Sequence, residues 1–272
     1  MSSKPNLLIL IASKNRSHLL LNILQQLNSQ LEENDLVIIS DASDVIPNLN
    51  IIKFCRQHAQ KFQHYMNSSI GLPANRNYAL RISPDKPIDY WCFFDDDLVI
   101  PSDYIQNVRI LISQIDNRTA VTGYLNSEIP KSPDWLGFYR RRALKNGVLE
   151  MPHSVGTWVP FRELPKFRYE SEHLYGYDEL ELRDYLKLNG IVLNFAPGLI
   201  ISHPHHDFAT VRFMTKWGID KIRIKQNVKS MRRNGSRKIS VNLYILRSFL
   251  HAFFYLLFKY CIGKVVKTFG KM

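Results

Sequence analysis

At 272 residues, 45% of them hydrophobic and 12% aromatic, the chain carries enough apolar surface for one large core or two modest ones, which excludes disorder over most of its length. Its net charge of +12 is concentrated: Val211 to Met272 holds 15 Lys and Arg against the single acid Asp220, a net +14, while the remainder holds 21 basic and 23 acidic residues, a net −2. A near-neutral body with a basic segment points that segment toward an anionic partner, a membrane surface or a nucleic acid, and three widely spaced cysteines exclude a disulfide framework and read as reduced thiols of a cytoplasmic protein.

Met1 to Pro5 lead straight into an apolar run with no cleavage-site pattern after it, so Asn6 to Ala12 reads as a first strand rather than a signal peptide. The polar turn Ser13-Lys14-Asn15-Arg16 then opens a helix whose apolar face includes Leu19, Leu20, Ile23, Leu24 and Leu27. Leu36 to Ser40 is a second strand, and it ends at Asp41-Ala42-Ser43-Asp44. Ile51 to His64 reads as a helix, or a helix and a short strand, and Gly71 to Leu80 as a turn and helix carrying Arg76 and Asn77. Tyr104 to Ile115 has helical spacing, Ala120 to Leu125 reads as a strand, and Ser127 to Pro165 has weak periodicity suited to an acceptor-binding region. Tyr177 to Asn189 reads as a helix stopped by Gly190, with Asp178, Glu179 and Glu181 in its first turn. Ile191 to Phe195 and Leu199 to Ser202 follow as short strands before His203-Pro204-His205-His206.

The run Trp91-Cys92-Phe93-Phe94-Asp95-Asp96-Asp97 places three carboxylates after a strand apolar on both faces. Three adjacent acids repel one another, and a divalent cation with oxygen ligands relieves that repulsion at the carboxyl edge of an open sheet. Taken alone, the triplet reads more simply as a solvated turn capping a helix near Pro101. Likewise, Arg16 and Arg76 alone read as surface salt bridges, Asp178 and Glu179 as acids favoured at a helix start, and His203 as polar surface.

The order of these features resembles the inverting, GT-A-fold glycosyltransferases of family 2, over roughly residues 6 to 207. The resemblance implies an α/β fold with a Rossmann-like, mostly parallel central sheet flanked by helices. A catalytic domain over 1–210 would divide into a nucleotide-sugar-binding part (1–103) and an acceptor-binding part (104–210), followed by a basic, partly amphipathic helical tail (211–272). Ser13, Asn15, Arg16 and Asp41 then inherit nucleotide contacts. Gly71 to Asn77 looks like the family's Gly-x-x-x-Ala-Arg-Asn segment, with Asn75 in place of Ala, which makes Arg76 a diphosphate or base contact. In the DxD-like triplet, Asp97 is the direct ligand of Mn²⁺ or Mg²⁺, and Asp95 pairs with the ribose or the metal. Asp96 belongs to the same nucleotide-binding cluster and is the position expected to tolerate substitution best. The catalytic base is Glu179 when counted back from Gly190 and Asp178 when counted forward from Gly176. His203 is a candidate third metal ligand, ahead of His205 and His206.

The implied activity is sugar transfer from a nucleotide-sugar, UDP-linked, to a hydroxyl of a glycan or lipid-linked saccharide. Ser248 to Phe258, bounded by Arg247 and Lys259, is too short to span a bilayer and reads either as an interfacial helix on an anionic membrane or as a helix packed on the catalytic domain. The first of these readings places the protein at the inner face of the cytoplasmic membrane, with no nucleic-acid partner expected. Rival readings are a haloacid-dehalogenase-like phosphatase using Asp95 and Asp97, a sugar nucleotidyltransferase, and a basic nucleic-acid-binding protein. The first should open on its Asp motif, and the second should carry a Gly-rich loop that Ile11 to Arg16 lacks.

Overall fold

The computed structural model describes residues 4–44, 48–82, 84–127, 155–170 and 178–203, together with helical residues at 224–225, 228–229, 232, 241–246 and 248–250. The chain divides into two compact units, one formed by 1–132 with 139–205, the other by 133–138 with 206–272. In the first unit, seven strands form one sheet: β1 (Leu7–Ser13), β2 (Leu36–Asp41), β3 (Phe62–Met66), β4 (Tyr90–Asp95), β5 (Thr119–Ser127), β6 (Thr157–Pro160) and β7 (Val192–His203), in the order β3-β2-β1-β4-β6-β5-β7.

The strands β1, β2, β3 and β4 run parallel, and every residue of β1 and β2 is buried, as strands covered on both faces require. Alternate residues of β1 therefore face opposite layers. Leu7, Ile9 and Ile11 pack with α1 (Ser17–Asn28), α2 (Leu49–Gln57) and α4 (Tyr104–Ile112). Leu8 and Leu10 pack with the end of α3 (Leu72–Ala79), with Phe167 and Tyr169, and with Leu182 and Leu186 of α5 (Asp178–Leu188). Buried Asp35 fastens the start of β1, accepting from the Leu7 amide at 3.0 Å and pairing with buried Arg109.

Register brings the strand ends together. Ser13 pairs with Asp41, and Ala12 with Asp95, so β1, β2 and β4 deliver Ser13, Asp41 and Asp95 to one carboxyl edge. The far side of the sheet supplies one more group. β7 runs parallel to β5 as far as Ser127↔His203, and a bridge between Val99 and Ser202 (N···O 2.8 and 3.0 Å) draws the end of β7 against the loop after Asp97.

Three sequence expectations change in detail. The segment 51–64 resolves into α2 and the edge strand β3. The weakly periodic region after Ser127 contains β6, which pairs antiparallel with both β4 and β5, and a 3-10 turn at Phe161–Lys166. The two short strands expected over 191–202 are one strand, β7, with a register shift opposite Thr122/Tyr124. Pro197 is tolerated because β7 is the edge strand. Gly123 sits at that shift, where a Cβ would lie 2.0 Å from the Leu199 carbonyl oxygen, so only glycine admits this approach.

Candidate active site

At the carboxyl edge, Asp95 is the last residue of β4, and Asp96 and Asp97 form the turn that follows. One oxygen of each outer acid is taken by an arginine. Arg76, on α3, donates to Asp95 Oδ1 at 2.8 Å, and Arg16, at the start of α1, donates to Asp97 Oδ2 at 2.9 Å. The other oxygens turn toward the end of β7, where His203 Nε2 lies 3.2 Å from Asp97 Oδ1 and 3.9 Å from Asp95 Oδ2. Ligand atoms of Asp95, Asp97 and His203 all fall within 4.8 Å of one another. Two carboxylates and an imidazole fit a small divalent cation. Oxygen donors suit Mg²⁺ or Mn²⁺, and the nitrogen donor tilts the set toward Mn²⁺.

Arg76 is only 1% exposed, its guanidinium lying 5.0 Å from the Phe93 ring centroid and 5.9 Å from that of Tyr169. A guanidinium enclosed in this way acts on the carboxylate it holds. Flat rings on its faces suit the delocalised cation, and they leave its edge for the Asp95 pair.

Asp96 departs from its expectation. It is 4% exposed, accepts from Ser13 Oγ at 2.7 Å and from Arg16 at 3.1 Å, and so ties the first loop to the triplet. Burial pushes its carboxyl up to about 6, restrained by the Ser13 and Arg16 contacts and reinforced by Asp97 and Asp95. A buried acid with two such partners is the opposite of a freely substitutable middle position.

The second loop is clasped to the first. Asn15 adopts φ 57°, a left-handed conformation that asparagine tolerates, and its side chain and backbone bond to Asp44 and Ser43. Asp41 accepts from the Ser43 amide at 3.0 Å and from the Ser43 hydroxyl, with His64 Nε2 at 3.1 Å on its other oxygen. Burial pushes the Asp41 carboxyl up, but the His64 and Ser43 hydrogen bonds outweigh it and hold the group below the usual carboxylate range. With Asp41 ionised, His64 Nε2–H is the donor. Ser13, Arg16, Asp95, Asp96, Asp97 and His203 thus form one connected cluster, while Asn15 and Asp41 lie in an adjoining one.

Four contributors went unread in the sequence: Ser43, His64, Asn75 and Tyr169. Asn75 was visible as a departure from the family's Ala. It is buried, donates to the Ser13 carbonyl at 3.0 Å, and shares its own oxygen with Ser40 and Asn67 (2.5 and 3.1 Å), joining β1, β2 and the loop after β3 beneath the site. Asn77 grips the main chain of Tyr169 in both directions, donating to its carbonyl at 2.7 Å and accepting from its amide at 2.8 Å. The next amide, Glu170, donates to Glu181 of α5 at 3.1 Å. Asp178 and Glu179 occupy the first turn of that helix. Their side chains, Gly176, His205 and His206 lie outside the described residues.

Residues 8–163 match the sequence profile described as glycosyl transferase family 2. The chain belongs to that family. Two solved proteins share its fold at low identity. The mannosyltransferase PcManGT of Pyrobaculum calidifontis, in complex with GDP-Man and Mn²⁺, is 14% identical with a TM-score of 0.60, over 92% of this chain and 70% of that one. TarS of S. aureus (residues 1-349) is 13% identical with a TM-score of 0.61, over 94% and 72%, and its complex with UDP-GlcNAc gives 12% and 0.62, over 94% and 73%. No curated protein matches the chain by sequence. The fold is that of the GT-A glycosyltransferases, and with the family established, the phosphatase and nucleotidyltransferase readings, and the reading of the chain as a non-enzymatic protein, give way.

In this glycosyltransferase, Arg76 aims Asp95 by holding one of its two oxygens. Where Asp95 ligates Mn²⁺, as proposed below, Arg76→Met is expected to weaken that binding by roughly 10–100-fold, the usual effect of losing a group that orients a metal ligand. Titration of free Mn²⁺ by electron paramagnetic resonance reads this directly. Arg76→Lys, which keeps the charge but not the planar fork, is expected to fall between the two, and wild-type affinity in Arg76→Met would remove the assigned role.

Proposed function

We propose that this glycosyltransferase is metal-dependent and inverting, and that it moves a sugar from a UDP-sugar to a hydroxyl of a glycan or lipid-linked saccharide. The observation that carries the reading is the convergence of Asp95, Asp97 and His203 at the edge where nucleotides bind in open α/β sheets. Bound there, Mn²⁺ or Mg²⁺ would neutralise charge developing on the diphosphate leaving group.

The chain supplies the rest. Arg16, half-exposed beside Asp97, offers a fixed positive charge to the same diphosphate. The loops 13–16 and 41–44, clasped to each other through Asn15 and Asp44, form a rigid wall for the nucleoside. Glu179, with Asp178 as the alternative, takes the proton of the acceptor hydroxyl. The acceptor oxygen bonds to the anomeric carbon as the bond from that carbon to the diphosphate oxygen breaks, which inverts the centre. The basic segment 211–272 sets the enzyme against the cytoplasmic face of an anionic membrane that carries such an acceptor.

Hydrolysis of a panel of UDP- and GDP-sugars tests this, with Mn²⁺ and with chelator. The expected result is turnover of a UDP-sugar that requires the metal. Equal turnover in chelator would overturn metal dependence, and turnover of GDP-sugars alone would overturn the donor assignment.

A further inference from the structure

Residues 241–246 and 248–250 are helical, and their burial divides them cleanly. Val241 and Ser248, seven positions apart, are buried, whereas Leu243, Leu246 and Leu250 are 61%, 59% and 48% exposed. Positions 243, 246 and 250 follow the three-then-four spacing of one helix face, so a row of exposed leucines stands opposite buried Val241 and Ser248, the Ser248 hydroxyl having no hydrogen-bond partner among the described residues. Leucines so arranged mark a surface that something covers.

Charge identifies the cover. No Asp or Glu follows Asp220, and the segment from Val211 to Met272 carries +14. A second copy of this chain would bring two such segments together, against their mutual repulsion, and a nucleic acid would engage the charges without using the leucines. A bilayer with anionic headgroups uses both: the leucines enter the acyl boundary, and the Lys and Arg residues meet phosphates. No described helix is long and apolar enough to cross a membrane.

We infer that Leu243, Leu246 and Leu250 form the insertion edge of an interfacial helix that docks the enzyme on anionic phospholipid. The inference rests on the membrane contact proposed above and narrows it to three side chains. It makes the acceptor's own solvent, the bilayer surface, part of the binding site, so that a lipid-linked acceptor is met by diffusion in two dimensions.

The test uses the full chain with vesicles of phosphatidylcholine alone and with about 30% phosphatidylglycerol, read by flotation. The variant carries Leu243→Gln, Leu246→Gln and Leu250→Gln. These exposed positions leave the melting temperature and the hydrolysis of a soluble nucleotide-sugar unchanged. Wild type is expected to float with the anionic vesicles only, and the variant to lose at least about tenfold in partitioning, since burying even one leucine is equivalent to about that factor. Equal partitioning of variant and wild type, abolished by salt in both, would show charge acting alone and overturn the inference. Wild type that floats with neither vesicle would overturn the membrane contact itself. A shift of the variant to smaller size on gel filtration, without vesicles, would assign the leucines to a second copy and overturn the inference as well. Metal-dependent hydrolysis without lipid is scored separately, so the transfer reading stands or falls on its own.

Discussion

Asp97→Asn is expected to leave a folded protein whose Mn²⁺-dependent donor turnover falls by at least about 10²–10³-fold, the range seen when one stabilising contact to transition-state charge is removed. The substitution keeps the volume of a buried side chain, so packing is preserved. What changes is the charge. Asp97 accepts from Arg16 on one oxygen and faces His203 on the other, and an amide can offer an oxygen to only one of them while turning an NH₂ toward the other. Asp96→Asn is the informative contrast. Its carboxyl, pushed up to about 6 by burial, gives up its charge more readily than an ordinary aspartate, and an amide oxygen still accepts from Ser13, although the amide NH₂ then faces Arg16. Asp96→Asn should therefore retain most stability and lose less activity than Asp97→Asn, whereas Asp96→Ala, which orphans the Ser13 hydroxyl, should lower the melting temperature. Turnover of Asp97→Asn within tenfold of wild type would displace Asp97 from the metal site.

Replacing the base should leave donor binding intact and stop transfer. Glu179→Gln is expected to lower the rate of transfer by about 10²–10⁴-fold, the contribution of a positioned general base, with the Michaelis constant for donor and the Mn²⁺ affinity unchanged. Both candidate acids lie in the first turn of α5, whose Leu182 and Leu186 are buried in the layer that also covers β1. The helix is fixed, then, before any substrate arrives. Asp178→Asn is expected to have the smaller effect. If Asp178→Asn is inactive and Glu179→Gln transfers normally, the register counted from Gly176 replaces that counted from Gly190, and the metal site is untouched by the exchange.

The strands that build the nucleotide half were legible because interior parallel strands are apolar without alternation: Leu7 to Ala12, Leu36 to Ile39 and Trp91 to Phe94 leave few other readings. Strand β3 was harder to see. As an edge strand with one neighbour it mixes Phe62 with Gln63, His64 and Tyr65, and the mixture resembles the end of the preceding helix. Strand β6 is four residues long and pairs with β4 and β5 across large sequence separations, so no local pattern announces it. The Asp triplet was visible as a cluster, with Asp95 and Asp97 singled out for a metal, but the burial of Asp96 between Ser13 and Arg16 was not. An arginine on a short helix reads as surface, and only the arrival of Phe93 from β4 and Tyr169 from the later loop encloses Arg76. His203 joins the triplet for a comparable reason: the Val99–Ser202 bridge, which no spacing in the sequence encodes, carries it there.

Asn77 has a consequence for how this enzyme can change. Its amide reads the peptide unit of Tyr169 rather than the ring, so position 169 is free to exchange one side chain for another without loosening the joint, provided the new residue still covers Arg76. Position 77 has no such latitude. Aspartate cannot donate to the Tyr169 carbonyl, and glutamine is one methylene too long to meet both groups at once. Because the adjacent amide at Glu170 is held by α5, a shift of the Tyr169 backbone would be felt at the helix that begins with Asp178 and Glu179. Where that first turn supplies the base proposed above, its placement depends on an amide that touches neither base nor donor, and drift in donor or acceptor preference across relatives should leave this asparagine in place while the loops around it diverge.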